Sequence, residues 1–335
     1  MTAYIIRRIL LIIPTLFLVS LLAFFLIRWI PGDVVDLMIA IMQQYVTLGT
    51  ETYENNMVGT SDTIQTELGA KLRAQLGLDV PAYIQYFRFL GDLFQGNLGT
   101  SLWTRQPVGA DIMFRLPVSL QLGFMAIVFS LIIGLPVGII SGIRADTATD
   151  GVLRSGSIAM ICIPDFWLGT MIVVFPAAWY AWAPPLIFVR FEDDPIGNLS
   201  HMLAPALIQG MLLSGIIMRF TRTMMLEVLR QDYIRTAWAK GLGERVIVVR
   251  HVLKNATIPV LTIIGLQLPV LIGGAVIVEK IFNVPGLGSL LVEALEKRDY
   301  PVVTAINLLM AGFVLTVNLL IDITYAWLDP RIRYD

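Results

Sequence analysis

Residues 9–27 read ILLIIPTLFLVSLLAFFLI, nineteen positions without a charge, and Arg7 and Arg8 stand directly before them. At 1.5 Å per helical residue, such a run, continued to Ile30, is long enough to cross a hydrocarbon layer about 30 Å thick. A basic pair ahead of an apolar stretch also opens a secretory leader. This stretch is too long for one, and no small-x-small cleavage pattern follows it. The reading is an uncleaved anchor that spans the bilayer.

The rest of the chain agrees with that start. Of 335 residues, 56% are hydrophobic and 15% are charged, where a soluble domain carries about a quarter charged residues. The mean hydropathy is +0.75. This composition excludes an ordinary soluble globular enzyme and points to an all-α polytopic membrane protein. Cys162 is the single cysteine and lies inside an apolar run, so no intrachain disulfide can form and a packed core thiol is expected. Apolar runs mark six transmembrane helices, at 9–30, 118–143, 155–182, 202–218, 260–278 and 303–328. An even number of spans puts both ends on one side.

Positive charge in the short loops sets which side that is. Arg7, Arg8, Arg144, Arg154, eight basic residues from Arg219 to Lys254, and Arg331 with Arg333 fall together, fourteen in all. The opposite short loops hold four, namely Arg190, Lys280, Lys297 and Arg298. Both termini are therefore expected in the cytoplasm. The long stretch 31–117 then lies outside, and it is too long for a plain connection. Ile84, Phe87 and Leu90 recur there at helical spacing before Gly96 and Gly99 punctuate a turn. The expected organisation is an anchor helix at 1–30, a small, partly helical extracytoplasmic segment at 31–117, and a transmembrane core at 118–335 that includes a cytoplasmic loop at 220–259. In the second span Gly134, Gly138 and Gly142 line one helix face, which lets a neighbouring helix approach closely.

Several chemistries have no motif to carry them. No G-x-x-x-x-G-K-[ST] loop occurs, so the chain has no cradle for nucleotide phosphates. His201 and His251 are assigned to opposite sides of the membrane, which excludes a shared metal site. No G-x-S-x-G elbow is present, and GLGERV and GLGSLL both lack the last glycine of the dinucleotide fingerprint. The expectation is a non-enzymatic chain with no catalytic residue, metal or cofactor of its own.

The loop between the fourth and fifth spans contains DYIRTAWAKGLGERVIVVRHVLKNATIP, residues 232–259. It reads as a short helix that stacks Tyr233, Ala237 and Gly241 on one face beside Thr236 and Ala239. Such a small-residue face can sit deep in another protein's groove. Gly241 and Gly243 then turn the chain. A second helix follows from Glu244, with Val246, Val249 and Leu253 on one side, and Pro259 starts the fifth span. Charges in a loop can simply solvate it and satisfy the orientation rule, but a passive connection would be only a few residues long.

RTAWAKGLGERVIVVRHVLKNATIP resembles the cytoplasmic signature loop of permease subunits in binding-protein-dependent ABC importers of the dipeptide, oligopeptide and nickel type. RRILLIIPTLFLVSLLAFFLIRWIPGD, LGLDVPAYIQYFRFLGDLFQGNLGTSL, IPDFWLG, EKIFNVPGLGSLLVEALEKRDYPVV and LDPRIRY extend the resemblance over most of the chain. The resemblance implies a coupling helix that docks into a separate ATPase subunit, with Arg235, Thr236, Ala237, Trp238, Ala239, Lys240, Gly241 and Leu242 as the docking segment. Where the general importer signature starts Glu-Ala-Ala, this chain has Arg235, Thr236 and Ala237, followed by Trp238. The stretches 31–76 and 186–201 depart from the family pattern on the outer side.

The resemblance further implies a homologous second permease, two cytoplasmic ATPase subunits that bind ATP and Mg, and an extracytoplasmic solute-binding protein. The chain would sit in the cytoplasmic (inner) membrane of a bacterium or archaeon, contact lipid, and have no dealings with nucleic acid. Peptide, nickel, opine and oligosaccharide remain open as cargo. A stand-alone ion-coupled transporter or channel is the alternative, and it would call for internal hydropathy repeats, of which none stands out.

Two intramembrane acids draw separate expectations. Asp165 follows Pro164 about 15 Å into the third span, counted from Ser155 at 1.5 Å per residue. It either accepts bonds from donors freed at a proline kink or faces the translocation path and meets a cationic group of the substrate. Asp322 in the last span reads as an interfacial carboxylate near Arg331 or Arg333.

Overall fold

Proline and glycine positions divide the helices. The computed structural model describes residues 2–29, 32–49, 61–183, 185, 187–273 and 275–328. In chain order the helices are α1 (Thr2–Arg28), α2 (Val34–Gly49), α3 (Ser61–Gln75), α4 (Ala82–Phe94), α5 (Val108–Ile143), α6 (Ala148–Cys162) and α7 (Asp165–Tyr180). They continue as α8 (Pro195–Leu229), α9 (Asp232–Ala239), α10 (Glu244–Val246), a π-helical turn (Ile247–Val252), α11 (Leu253–Gly273), α12 (Val276–Ile281), α13 (Leu287–Glu296) and α14 (Tyr300–Leu328). Among the described residues the only β pairing is the isolated bridge between Thr100 and Pro107.

Among the described residues, four helical stretches are long and apolar enough to cross a membrane unbroken: Ile6–Arg28, Val108–Ile143, Pro195–Leu229 and Tyr300–Ile323. Two bent pairs, Ala148–Cys162 with Asp165–Tyr180 and Glu244–Thr257 with Pro259–Leu268, bring the number to six if each counts as one span. The first pair turns by 90°. Its cause is local. A residue before proline is driven out of the α region, and Ile163 takes φ −75°, ψ 120° ahead of Pro164. Cys162 ends α6 at this break and is exposed, so the expectation of a packed thiol does not hold. The second span begins earlier than its hydropathy suggests, because α5 starts at Val108 and runs through Pro117 without interruption.

The chain forms two compact units, one of residues 1–9, 115–289 and 313–335, the other of residues 10–114 and 290–312. In the first, α8 is the axis: 67% of its most apolar window is buried, against 11% for the α1 window. α5 lies against α8 along its glycine face. A Cβ on Gly138 would sit 2.7 Å from Thr221 Cβ and 2.8 Å from the Met218 carbonyl oxygen, and one on Gly134 would sit 2.8 Å from the Ser214 carbonyl oxygen. Backbone meets backbone there, as in close-packed membrane helices. In the same unit Asp322 pairs with Arg8 at 3.1 Å, so its partner is a cation from α1. Arg331 and Arg333, its expected neighbours, lie outside the described residues.

In the second unit α4 packs on α1 through Tyr86, which is 3% exposed and shares a 2.9 Å hydrogen bond with Ser20. Phe87 is 67% exposed, so the inward face of α4 is set by Tyr86 and not by the Ile84, Phe87 and Leu90 series. Gly96 and Gly99 have φ of +77° and +85° and make the expected turn. The loop after them is pinned by Asp299, whose carboxylate accepts from Ser101 Oγ at 2.5 Å and from the Leu102 N–H at 3.1 Å. Arg73 bridges Asp33 and Asp36 at 2.8 Å each, tying α3 to the start of α2.

Candidate coupling loop and translocation site

α9 has eight residues, and its end is built by hydrogen bonds. The Gly241 N–H donates to the Trp238 carbonyl at 2.9 Å and the Leu242 N–H to the Ala237 carbonyl at 3.4 Å. This pair of bonds is the Schellman pattern, which needs a left-handed residue at its centre. Gly241 supplies it with φ +76°. The glycine therefore stands where the sequence places the turn.

Of the face expected to dock, Tyr233, Thr236, Ala239 and Gly241 are exposed and Ala237 alone is buried. Ile234 and Ala237 are buried at 0% and 7% exposure, and Tyr233 is exposed at 46%. Ala237 faces this chain's own core, whereas Arg235, Thr236, Trp238, Ala239, Lys240, Gly241 and Leu242 are exposed. Ile234 and Ala237 pack in one cluster with Met225 of α8, Ile247, Val248 and Val252 of the π-helical turn, and Ala256 of α11. Asn255 Nδ2 also donates to Tyr233 Oη at 2.9 Å. Packed side chains thus join α9 to the helices on either side of it.

The second helix of the loop is not separate. α10 runs into the π-helical turn and then into α11. A π turn inserts one residue into the helical register. Ile247, Val248 and Val252 consequently face inward, and Val246 and Val249, at 44% and 58% exposure, face out.

Asp165 opens α7 immediately after the break and is half-buried. Among the described residues its carboxylate accepts no hydrogen bond and has no ion-pair partner, so the donors freed at the kink do not hold it. α7 packs on α12, with Gly169 against Ile281 and Phe282. Asp165 and the α9 segment thus lie on separate elements.

Two acids escaped the sequence reading. Asp150, 1% exposed, accepts from Arg222 Nε at 2.8 Å and Nη2 at 2.7 Å, from Ser141 Oγ at 2.5 Å and from the Asp146 N–H at 3.1 Å. It joins α5, α6 and α8 just before the chain enters α9. One local signal was available: Thr147 precedes Asp150 by three, and Thr147 Oγ1 accepts from the Asp150 N–H at 3.4 Å, the first half of a capping box. Nothing local announces Arg222 as the partner.

Glu279 on α12 is fully buried. Its carboxylate accepts from Ser119 Oγ at 2.7 Å and from the Ser289 N–H at 2.8 Å, and Ser119 Oγ accepts in turn from the Leu287 N–H at 2.8 Å. A Cβ on Gly286 would fall on this carboxylate, so the turn into α13 wraps it with bare backbone. Burial raises the Glu279 pKa above 4.5, opposed by these bonds and by Arg115. Because the folded-state value lies above the unfolded one, this group's contribution to stability is greatest at low pH. It declines as pH rises from about 4.5 through the folded value. Glu279→Gln should remove that slope and, by setting an amide against backbone donors, cost about 1–3 kcal/mol. Thermal melting in detergent between pH 4 and 9 checks this, and an unchanged slope would remove Glu279 as its source.

A helical chain with several membrane-crossing helices, a short packed helix exposed between two of them, and a buried turn near a broken span is built as the transmembrane part of a transporter. Residues 134–334 match the family described as binding-protein-dependent transport system inner membrane component, and the chain belongs to it. The di/tripeptide transport system permease protein DppB of Pseudomonas aeruginosa (strain UCBPP-PA14) is 37% identical over 354 residues, covering 100% of this chain and 99% of the relative. The dipeptide transport system permease protein DppB of Escherichia coli (strain K12) is 35% identical over 357 residues, with 100% and 99% covered. Among solved structures, the MetNI methionine ABC transporter in inward facing conformations is similar with a TM-score of 0.52 and 18% identity, over 65% of this chain and 96% of that one. An amino acid ABC transporter crystallised with histidines gives 0.50 and 12%, over 67% and 95%. These two likenesses concern the fold. The chain is a permease subunit of an ABC importer, a transporter component and not an enzyme.

Proposed function

We propose that this permease forms half of the translocation pathway for short peptides, paired with a homologous second permease. Two cytoplasmic ATPase subunits that bind ATP and Mg drive it, and an extracytoplasmic solute-binding protein loads it. The observation that carries the reading is the α9 segment: its exposed residues 235, 236 and 238–242 are held by a defined helix end and a core shared with α8 and α11. Both termini then lie in the cytoplasm, 31–117 forms the outer segment, and 220–259 the coupling loop. The peptide assignment rests on the relatives that bear that name over the whole chain length. Reconstitution of the four kinds of subunit in proteoliposomes tests the scheme. Uptake of a labelled dipeptide should require both ATP and the binding protein, and uptake by this chain alone, driven by an ion gradient, would replace it with a secondary transporter.

Asp165 is proposed as a path residue, supported by its half-buried carboxylate at a broken helix, without a partner among the described residues. Transporters place binding groups at such breaks. Asp165→Asn should then slow uptake of lysine-containing dipeptides by about tenfold relative to neutral ones, the loss of one charge-assisted bond. Equal uptake of both by the variant would take Asp165 out of the path.

A further inference from the structure

Arg28 ends α1 beside Trp29, which is 80% exposed. Its guanidinium lies 3.5 Å from the centre of the Phe24 ring and 4.9 Å from that of Tyr300. Nη1 donates to the Phe24 carbonyl at 2.9 Å and Nη2 to Gln85 Oε1 at 2.9 Å. Among the described residues no carboxylate pairs with it. Three of the five guanidinium N–H donors are left for something else.

Arg28 also lines a cavity of about 230 Å³. Arg88, Gln85 and Asp92 are among its other polar lining residues, and Phe89 and Leu102 are among its apolar walls. All of these residues belong to the second compact unit. A half-buried arginine facing a partly apolar cavity is a costly arrangement unless an anion completes it. Guanidinium matches the oxygens of a phosphate or carboxylate by paired hydrogen bonds.

Position narrows the anion further. Arg28 closes the membrane-crossing stretch Ile6–Arg28. Exposed tryptophans at span ends sit at headgroup level. The cavity therefore opens where phospholipid headgroups are found. Asp92 in its wall would repel a second negative charge but accept from hydroxyls, and the apolar wall suits the start of an acyl region.

We propose that this cavity binds the headgroup of an anionic phospholipid of the phosphatidylglycerol kind. The phosphodiester sits on Arg28 with Arg88 adding charge, and the headgroup hydroxyls donate to Asp92. The lipid would brace α1 against α4 at the membrane surface.

The full-length chain, purified in a neutral detergent, is titrated with dihexanoylphosphatidylglycerol, dihexanoylphosphatidylcholine and inorganic phosphate, with bound lipid read by native mass spectrometry. The wild type should prefer phosphatidylglycerol over phosphatidylcholine at least tenfold, and Arg28→Gln should remove that preference. Arg88→Gln, on an exposed side chain, should weaken it about fivefold, the effect of one cation near a membrane surface. If Arg28→Gln does not fold, Arg88→Gln decides, and an unchanged preference overturns the site. Equal binding of the two lipids, or displacement of lipid by inorganic phosphate at the same concentration, also overturns it. The second result would assign the cavity to a free anion. Repeating the titration on the assembled transporter guards against a partner's carboxylate: binding that disappears on assembly would give the cavity to that partner and sink the lipid reading.

Discussion

Asp150→Ala should destabilise the permease by about 3–5 kcal/mol, the largest effect expected of any single substitution in its membrane core. The substitution deprives Arg222, whose side chain is only 17% exposed, of the carboxylate it meets through two bonds. Ser141 Oγ and the Asp146 N–H lose their acceptor at the same time. Three helices meet at this carboxylate, so no single helix can relax to cover the loss. Asp150→Asn keeps one acceptor oxygen and loses the charge, and should fall between the wild type and Asp150→Ala. Replacing both partners together, Asp150→Leu with Arg222→Met, should recover most of the loss, because removing a whole buried pair costs far less than orphaning one member. Thermal melting and yield in detergent measure all three. A melting temperature for Asp150→Ala within a degree or two of wild type would show that Arg222 finds another partner.

Why this pair stayed hidden while the helices did not is a matter of distance along the chain. The apolar run at 9–27 and the glycine series 134, 138, 142 carry their meaning in local spacing, and the structure places a membrane-length helix and a tight α5–α8 contact there. Gly241 likewise shows itself through its neighbours, as a glycine two residues past a helix end. Asp150 and Arg222 are 72 positions apart, and neither residue's surroundings select the other. Local spacing pointed Asp322 to Arg331 or Arg333, whereas Arg8, with which it pairs, sits at the far end of the chain from it.

On α9 only Ala237 departs from the expected outward face, for a related reason. A small residue fits a docking face and a tight core contact equally well, and Ala237 packs with Met225, Ile247 and Val252 of the same chain. The π-helical turn moved the inward face of the next segment by one residue, a shift that i, i+3 counting cannot see. At Ile163 and Pro164 the sequence indicated a kink, and its 90° size came from a complete stop of the helix. Asp165 was therefore legible as a position, but not as a carboxylate without a partner among the described residues.

Gly241→Val should cut ATP-driven uptake by more than tenfold while leaving yield and melting close to those of the wild type. At φ +76° a β-branched residue is a strong outlier, and the left-handed conformation costs about 1–2 kcal/mol for an L side chain. The helix end would leave that conformation, and the two Schellman bonds to Trp238 and Ala237 would go with it. No heavy atom lies within 4 Å of where the new Cβ would stand, so the substitution makes no clash with the core. Ile234 and Ala237 keep their burial. What changes is the direction in which Trp238, Ala239, Lys240 and Leu242 are presented to the proposed ATPase partner. Gly243 is the control, since it also has open space but a φ of −68° that any residue adopts. Gly243→Val should transport near normally. ATPase activity of the reconstituted complex, measured with and without the binding protein and peptide, separates the outcomes. If the turn aims the docking surface, Gly241→Val loses the stimulation by substrate along with uptake, and Gly243→Val keeps both. Equal impairment of the two variants would mean that side-chain bulk in the loop matters and the left-handed turn does not. Normal uptake by Gly241→Val would mean that α9 does not transmit the stroke.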